Sequence, residues 1–153
     1  MLSSFPGSPI MKRLALKWLM MVMMCAWLAP AVAADLGKNE ETAIQSAVQL
    51  QIEALANDDA ERAFALTTEN TRSRLGSSHN FLKMIKEQYD PVYRHRMALY
   101  ASPQMVRGKV YQVVRLTDLE SHVWVAVYLM HKDTEGAWKI DGCQLIQTKT
   151  VAI

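Results

Sequence analysis

Cysteine is nearly absent from this chain: 153 residues contain two, Cys25 and Cys143. They form no C-x-x-C pair. The four histidines (His79, His95, His122, His131) never stand three or four residues apart. The usual ligand couples of a zinc site and the dithiol of a redox motif are therefore missing, and no metal is expected. Glycine is sparse too, with six residues and no G-x-G-x-x-G, P-loop or G-x-S-x-G arrangement. Dinucleotide, NTPase and lipase-like chemistries have no support, and no cofactor is expected. Internal repeats and low-complexity linkers are lacking as well, which leaves one domain.

What is present begins with a leader. Met11-Lys12-Arg13 with Lys17 is a short cationic start, Trp18–Leu28 carries no charge, and Ala31-Val32-Ala33 puts small residues where a signal peptidase cuts. Residues 1–33 thus read as a secretory signal, with residues 34–153 as the exported domain. A retained anchor is the rival reading. The uncharged run Trp18–Ala34 has 17 residues, at the lower edge of the roughly 17–25 that span a bilayer, and Pro30 interrupts it. A lipoprotein would want a small residue before Cys25, where Met24 stands. Membrane contact is expected only if the leader stays uncleaved.

The leader also distorts the charge balance. The chain has 17 basic and 15 acidic side chains, but Lys12, Arg13 and Lys17 depart with the leader, leaving fourteen against fifteen. A nearly neutral domain gives no reason to expect nucleic acid as a partner. Cys25 departs as well, so Cys143 is left without an internal disulfide partner. In the last strand it reads as a small hydrophobe, with nothing local to activate its thiol.

The first half of the domain has helical periodicity. Ile44, Val48, Ile52 and Leu55 form one apolar stripe, predicting a helix over Glu40–Ala56 capped by Asn39. Asn57-Asp58-Asp59 ends it and caps a second helix over Ala60–Leu66. A short turn follows to Leu75, and a helix capped by Ser78 or Asn80 carries Phe81, Leu82, Met84 and Ile85 to Gln88. Pro91 stops it and pushes Asp90 toward extended backbone. From Tyr93 the period becomes two. Tyr93–Tyr100, Val110–Leu116, His122–His131 and Ala137–Thr148 read as strands separated by turn residues. The expected class is α+β: N-terminal helices packed on a curved antiparallel sheet of about four strands.

Val123–Met130 is apolar on both alternating faces, a pattern of strands covered on both sides. Helices cover one face. The other is expected to line a closed pocket or to meet a second subunit, giving a homodimer through the sheet face. The polar segment Tyr89, Asp90, Tyr93, Arg94, His95 and Arg96 lies where helices give way to sheet, and a Tyr–Asp pair there offers a proton donor and a general base. The plainer reading is that Pro91 makes a stop, the tyrosines roof the core and the arginines point to solvent. Trp124 and Tyr128 are core or pocket-lining aromatics.

Ala54–Phe64 (A-L-A-N-D-D-A-E-R-A-F), Asn80-Phe81-Leu82, Pro91–Arg94, Val123–Tyr128 and Gly136–Cys143 (G-A-W-K-I-D-G-C) together resemble the exported bacterial family known as domain of unknown function 4864. The opening helix with D-D-A-x-x-A and the closing G-x-W-x-I also resemble the wider nuclear-transport-factor-two-like superfamily. That resemblance implies a cone-shaped fold, often dimeric through the outer face of its sheet, and a bacterial periplasmic location. It implies no reaction, because the superfamily's catalytic pairs have no matching residues here. The expectation is a non-enzymatic module that binds a small, largely apolar ligand or another protein. The alternative is a small lyase, isomerase or hydrolase using the Tyr89–Arg96 junction.

Overall fold

In the structure, a computed structural model, residues 35–149 are described; the expected leader and its cleavage site lie outside them. Helix α1 (Lys38–Ala56) buries the stripe of Ile44, Val48, Ile52 and Leu55, with Ala47, Gln51 and Ala54 alongside. It begins earlier than expected. Gly37 takes the cap position without a side-chain bond, and Asn39 is already helical.

The next helices are short and each is capped by a side-chain oxygen, which satisfies an otherwise orphaned N–H. Asp59 caps α2 (Ala60–Ala65) by accepting from the Arg62 amide, and Thr68 caps α3 (Glu69–Leu75) by accepting from that of Thr71. Helix α3 ends at Gly76, whose φ of +82° disfavours any residue with a Cβ. Helix α4 (Ser78–Gln88) is capped by Ser77, one residue ahead of the expected Ser78.

Asp90 corrects the expectation built on Pro91. Rather than extended backbone, Asp90 and Pro91 open a four-residue helix, α5 (Asp90–Tyr93). A proline in a first helical turn loses no hydrogen bond, since amides there have no intrahelical acceptor. Tyr93, Arg94, His95 and Arg96 consequently do not alternate along a strand, and β1 starts only at Met97.

The sheet comprises β1 (Met97–Tyr100), β2 (Gln104–Val106), β3 (Lys109–Thr117), β4 (Val123–Lys132) and β5 (Trp138–Gln147), every pair antiparallel, in the order β1-β3-β4-β5. The three-residue β2 is an addition to the four expected strands. It shares with β1 one edge of β3 and returns through Arg107-Gly108, both at positive φ. Val110, Val114, Leu116, Ala126, Tyr128, Met130 and Ile140 are buried on the inner face, in one core with α1, Phe81 and Ile85 of α4, and Val92 of α5.

The doubly apolar β4 divides differently from the expectation. Ala126, Tyr128 and Met130 lie buried under the helices, whereas Val123, Val125, Val127 and Leu129 on the outer face remain half-buried. The pocket described below is on the helix side, whereas Leu129 of the outer face borders an open depression with Lys109, His131 and Trp138. No helix of the described residues is long and apolar enough to cross a membrane.

Leu55 is fully enclosed between α1 and the sheet, whereas Val106 on β2 is half exposed. Leu55→Ala is expected to lower unfolding free energy in urea by about 2–5 kcal/mol, through lost burial and a residual cavity. Val106→Ala should shift it by no more than about 0.5 kcal/mol. Equal losses at the two positions would contradict this core.

Candidate functional site

Where α3 and α4 approach β4 and β5, the core does not close. A cavity of about 270 Å³ remains, lined among others by Gln51, Thr71, Phe81, Met84, Ile85, Tyr89, Tyr128, Asp141 and Cys143. Its floor is the strand pair Tyr128–Cys143, and its walls are the apolar faces of α4 and of Val92.

One end of the cavity is fixed by a seam between the α2–α3 connection and β5. Thr67 and Ile140 form an isolated parallel bridge, in which the Thr68 amide donates to the Ile140 carbonyl at 2.9 Å and the Ile140 amide to that of Leu66 at 2.9 Å. The side chains continue it. Thr68 Oγ1 donates to Asp141 Oδ1 at 2.7 Å, and Thr71 Oγ1 to the Asp141 carbonyl at 2.8 Å. Asp141 is available because β5 bulges here: Leu129 faces Gly142 and Met130 faces Ile140, which leaves Asp141 as the extra residue. Arg74, bonded to Thr71 Oγ1 at 3.1 Å, stands at the same end, so the rim carries one cation and one carboxylate.

Most polar groups in the deeper lining are occupied. Gln51 Nε2 donates to the Ala63 carbonyl at 3.1 Å, and the Tyr89 hydroxyl to the Cys143 carbonyl at 3.2 Å. Tyr128 is the exception. Its side chain is 1% exposed, and its hydroxyl, itself closed to the cavity, has no partner but the Cys143 thiol. The Cys143 thiol is its neighbour, but sulfur is a weak acceptor. Burial holds the Tyr128 phenol protonated, its pKa well above the usual 10, with Cys143, Tyr100 and Tyr89 adding to the effect. Burial likewise pushes the Cys143 thiol up to about 12, only partly offset by Tyr128. Two further buried atoms lack partners among the described residues, Gln112 Oε1 and His95 Nδ1, and neither residue lines the cavity.

The junction residues separate in space. Tyr89 reaches the cavity; Asp90 is exposed on the first turn of α5. Tyr93 belongs to a surface cluster in which its hydroxyl donates to Asp58 at 2.8 Å while Lys86 and Arg94 lie over its ring at 5.0 and 4.4 Å. Asp58 is held below its usual pKa, by the Lys86 ammonium first and by Tyr93 second. His95 is half-buried and shifted toward its neutral form by that burial. Arg96 donates to the Leu119 carbonyl at 3.0 Å, away from the cavity. Trp124 donates from Nε1 to Asp118 at 2.8 Å and stands outside the lining. Of the eight candidate residues, only Tyr89 and Tyr128 belong to the cavity lining, while Tyr93 and Arg94 pair at the surface.

Asp118, Glu120 and His122 place ligand-type atoms within 4.8 Å of one another. Asp118 already accepts from the His122 amide and the Trp124 indole, and its Oδ2 is 3.1 Å from His122 Nδ1, which accounts for the cluster as a closed turn. Reading by motif missed Gln51, Thr71, Arg74 and Asp141. Two signals were present: Gln51 falls in phase with the stripe, three residues after Val48, and Gly142 inside a strand pattern marks a bulge.

The family model described as domain of unknown function (DUF4864) matches residues 37–153. No curated protein and no solved structure gives a match.

With a pKa of about 12, Cys143 at pH 8 is thiolate to roughly one part in 10⁴, against about a quarter for an unperturbed thiol near 8.5. Iodoacetamide is expected to alkylate the native protein at least a hundredfold more slowly than the urea-unfolded chain. Native labelling at the unfolded rate would contradict the buried, protonated thiol.

Proposed function

The chain belongs to the DUF4864 family, and we propose that it is an exported module that holds a small, largely apolar ligand in the cavity between α3, α4, β4 and β5. The carrying observation is that a core otherwise closed around Ile44, Val48 and Leu55 keeps about 270 Å³ open between the apolar side chains of α4 and strands β4 and β5. Well-packed domains carry few voids much larger than a water molecule. The volume sits just below the ~300–1,000 Å³ usual for ligand pockets, which suits a small occupant. Export rests on the leader pattern of Lys12 through Ala33, and points to the bacterial periplasm. The junction supplies little for an enzymatic alternative. Asp90 is exposed, His95 stands off the cavity, and the cavity's own carboxylate, that of Asp141, accepts from Thr68.

A second reading follows from the outer sheet face, where two copies pair. Val123, Val125, Val127 and Leu129 of β4 stand there beside Val113 of β3 and the exposed Leu99 and Ile146. This apolar stripe is bordered by Arg115 on β3, opposite Val125, and by Gln144 on β5, opposite Val127. A twofold axis running along β4 sets one apolar strand on the other and sends the two arginines to opposite sides, away from each other.

Native mass spectrometry of protein released from the periplasm of a bacterial host reads all three points. The expected species starts at Ala34, is a dimer, and carries a small-molecule mass that Met84→Trp removes by filling the cavity. A chain retaining Met1 or Met11 contradicts cleavage of the leader. A bare monomer, unshifted by small apolar probes, contradicts both the ligand and the dimer.

A further inference from the structure

Resting on the ligand-binding reading, we infer that the occupant is a neutral hydroxyl compound, an alcohol or phenol, whose O–H donates to Gln51 Oε1. Gln51 falls in phase with the apolar stripe of α1, three residues after Val48, and is only 3% exposed. An apolar side chain would pack there without giving up hydration, so a glutamine needs partners. The fold supplies one: Nε2 donates one N–H to the Ala63 carbonyl at 3.1 Å and ties α1 to α2. An amide carries two N–H groups and an oxygen with two lone pairs. The second N–H and Oε1 have no partner among the described residues. Nor is Oε1 sealed off, since the closed and unpartnered side-chain atoms are His95 Nδ1, Gln112 Oε1 and the Tyr128 oxygen. The surface Gln51 retains belongs to the cavity it lines.

The fold itself occupies the other neutral polar groups of the lining. The Tyr89 hydroxyl donates to the Cys143 carbonyl at 3.2 Å, and Thr71 Oγ1 to the Asp141 carbonyl at 2.8 Å. The walls beyond are apolar, at Phe81, Met84 and Ile85. The unmet demand is therefore for a donor. A hydrocarbon, ether or ketone that displaces water from Oε1 leaves a desolvated acceptor behind. A hydroxyl satisfies it, and its oxygen accepts from the second Gln51 N–H in turn. Both capacities then reside in one atom, which suits a cavity of about 270 Å³.

Charge narrows the class further. An ammonium also donates, but Gln51 is neutral and buried, and burial keeps Tyr128 and Cys143 uncharged. The charges of the lining stand together at the rim, where Arg74 opposes a cation and Asp141 an anion. An ion taken past them to Gln51 loses its hydration without a counter-ion.

Phenol, its isostere toluene, and anisole, which accepts but does not donate, test this by titration into isotope-labelled protein released from the bacterial periplasm. The ratio of phenol to toluene affinity is expected to be about tenfold higher in the wild type than in Gln51→Met, the equivalent of one net hydrogen bond. Anisole should follow toluene. A glutamine that serves only to tie α1 to α2 would change the melting temperature of Gln51→Met and leave the ratio where it was. The wild type gives a second reading that needs no variant: the NMR carbon resonance of the Gln51 side-chain carbonyl should move downfield with phenol and not with toluene. An unchanged ratio, or a carbonyl resonance that phenol at saturation does not move, overturns the hydroxyl assignment and leaves the ligand pocket standing. Failure of all three probes to bind overturns the assignment and the pocket together.

Discussion

Between Leu66 and Thr71 the chain is stitched to β5 twice over, by the backbone bridge at Thr67–Ile140 and by the threonine bonds to Asp141. The helices cannot settle freely onto the sheet while that seam holds. It fixes where α3 starts, because Thr68 is both the α3 cap and a partner of Asp141. It also places Gly76 and the entry to α4, so Phe81, Met84 and Ile85 reach the cavity as walls and do not fill it. The bulge supplies the other half of the device. By leaving Asp141 unpaired with β4, it turns a strand residue toward the helices.

From this geometry the chemistry follows with few additions. β4 and β5 present Tyr128 and Cys143 side by side, and burial keeps both groups protonated. The cavity therefore has a neutral floor within a largely apolar shell. Such a lining suits recognition better than proton transfer, since a phenol held well above its usual pKa gives up its proton reluctantly. A short way along β5 from the seam, Lys132 and Trp138 bond to Glu40, holding that carboxyl below its usual pKa and tying α1 to β4 and β5.

Much of the architecture was legible from periodicity. The stripe of α1, the Asp59 cap, the change of period after the helices and the three long strands follow directly from side-chain spacing. Boundaries that depend on tertiary context were not legible. Asp90-Pro91 reads as extended by local sterics alone, yet the core buries Pro91 and Val92 and draws them into a helical turn. The apolar outer face of β4 was legible as a feature in need of a partner, but spacing does not say which face the cavity occupies. The candidate site was half legible. Tyr89 and Tyr128 announce themselves as aromatics, while Thr68, Thr71 and Asp141 acquire their role only when residues some seventy positions apart are brought together.

The account turns on whether the Tyr128 hydroxyl is at most weakly bonded in the empty protein, and urea unfolding of ligand-free wild type and Tyr128→Phe measures this most directly. Removing such a buried hydroxyl should leave the unfolding free energy unchanged or raise it, by up to about 1 kcal/mol. A loss of more than about 1 kcal/mol would contradict this and mean that the hydroxyl is firmly bonded, to Cys143 or to Gln112 across the strand pair.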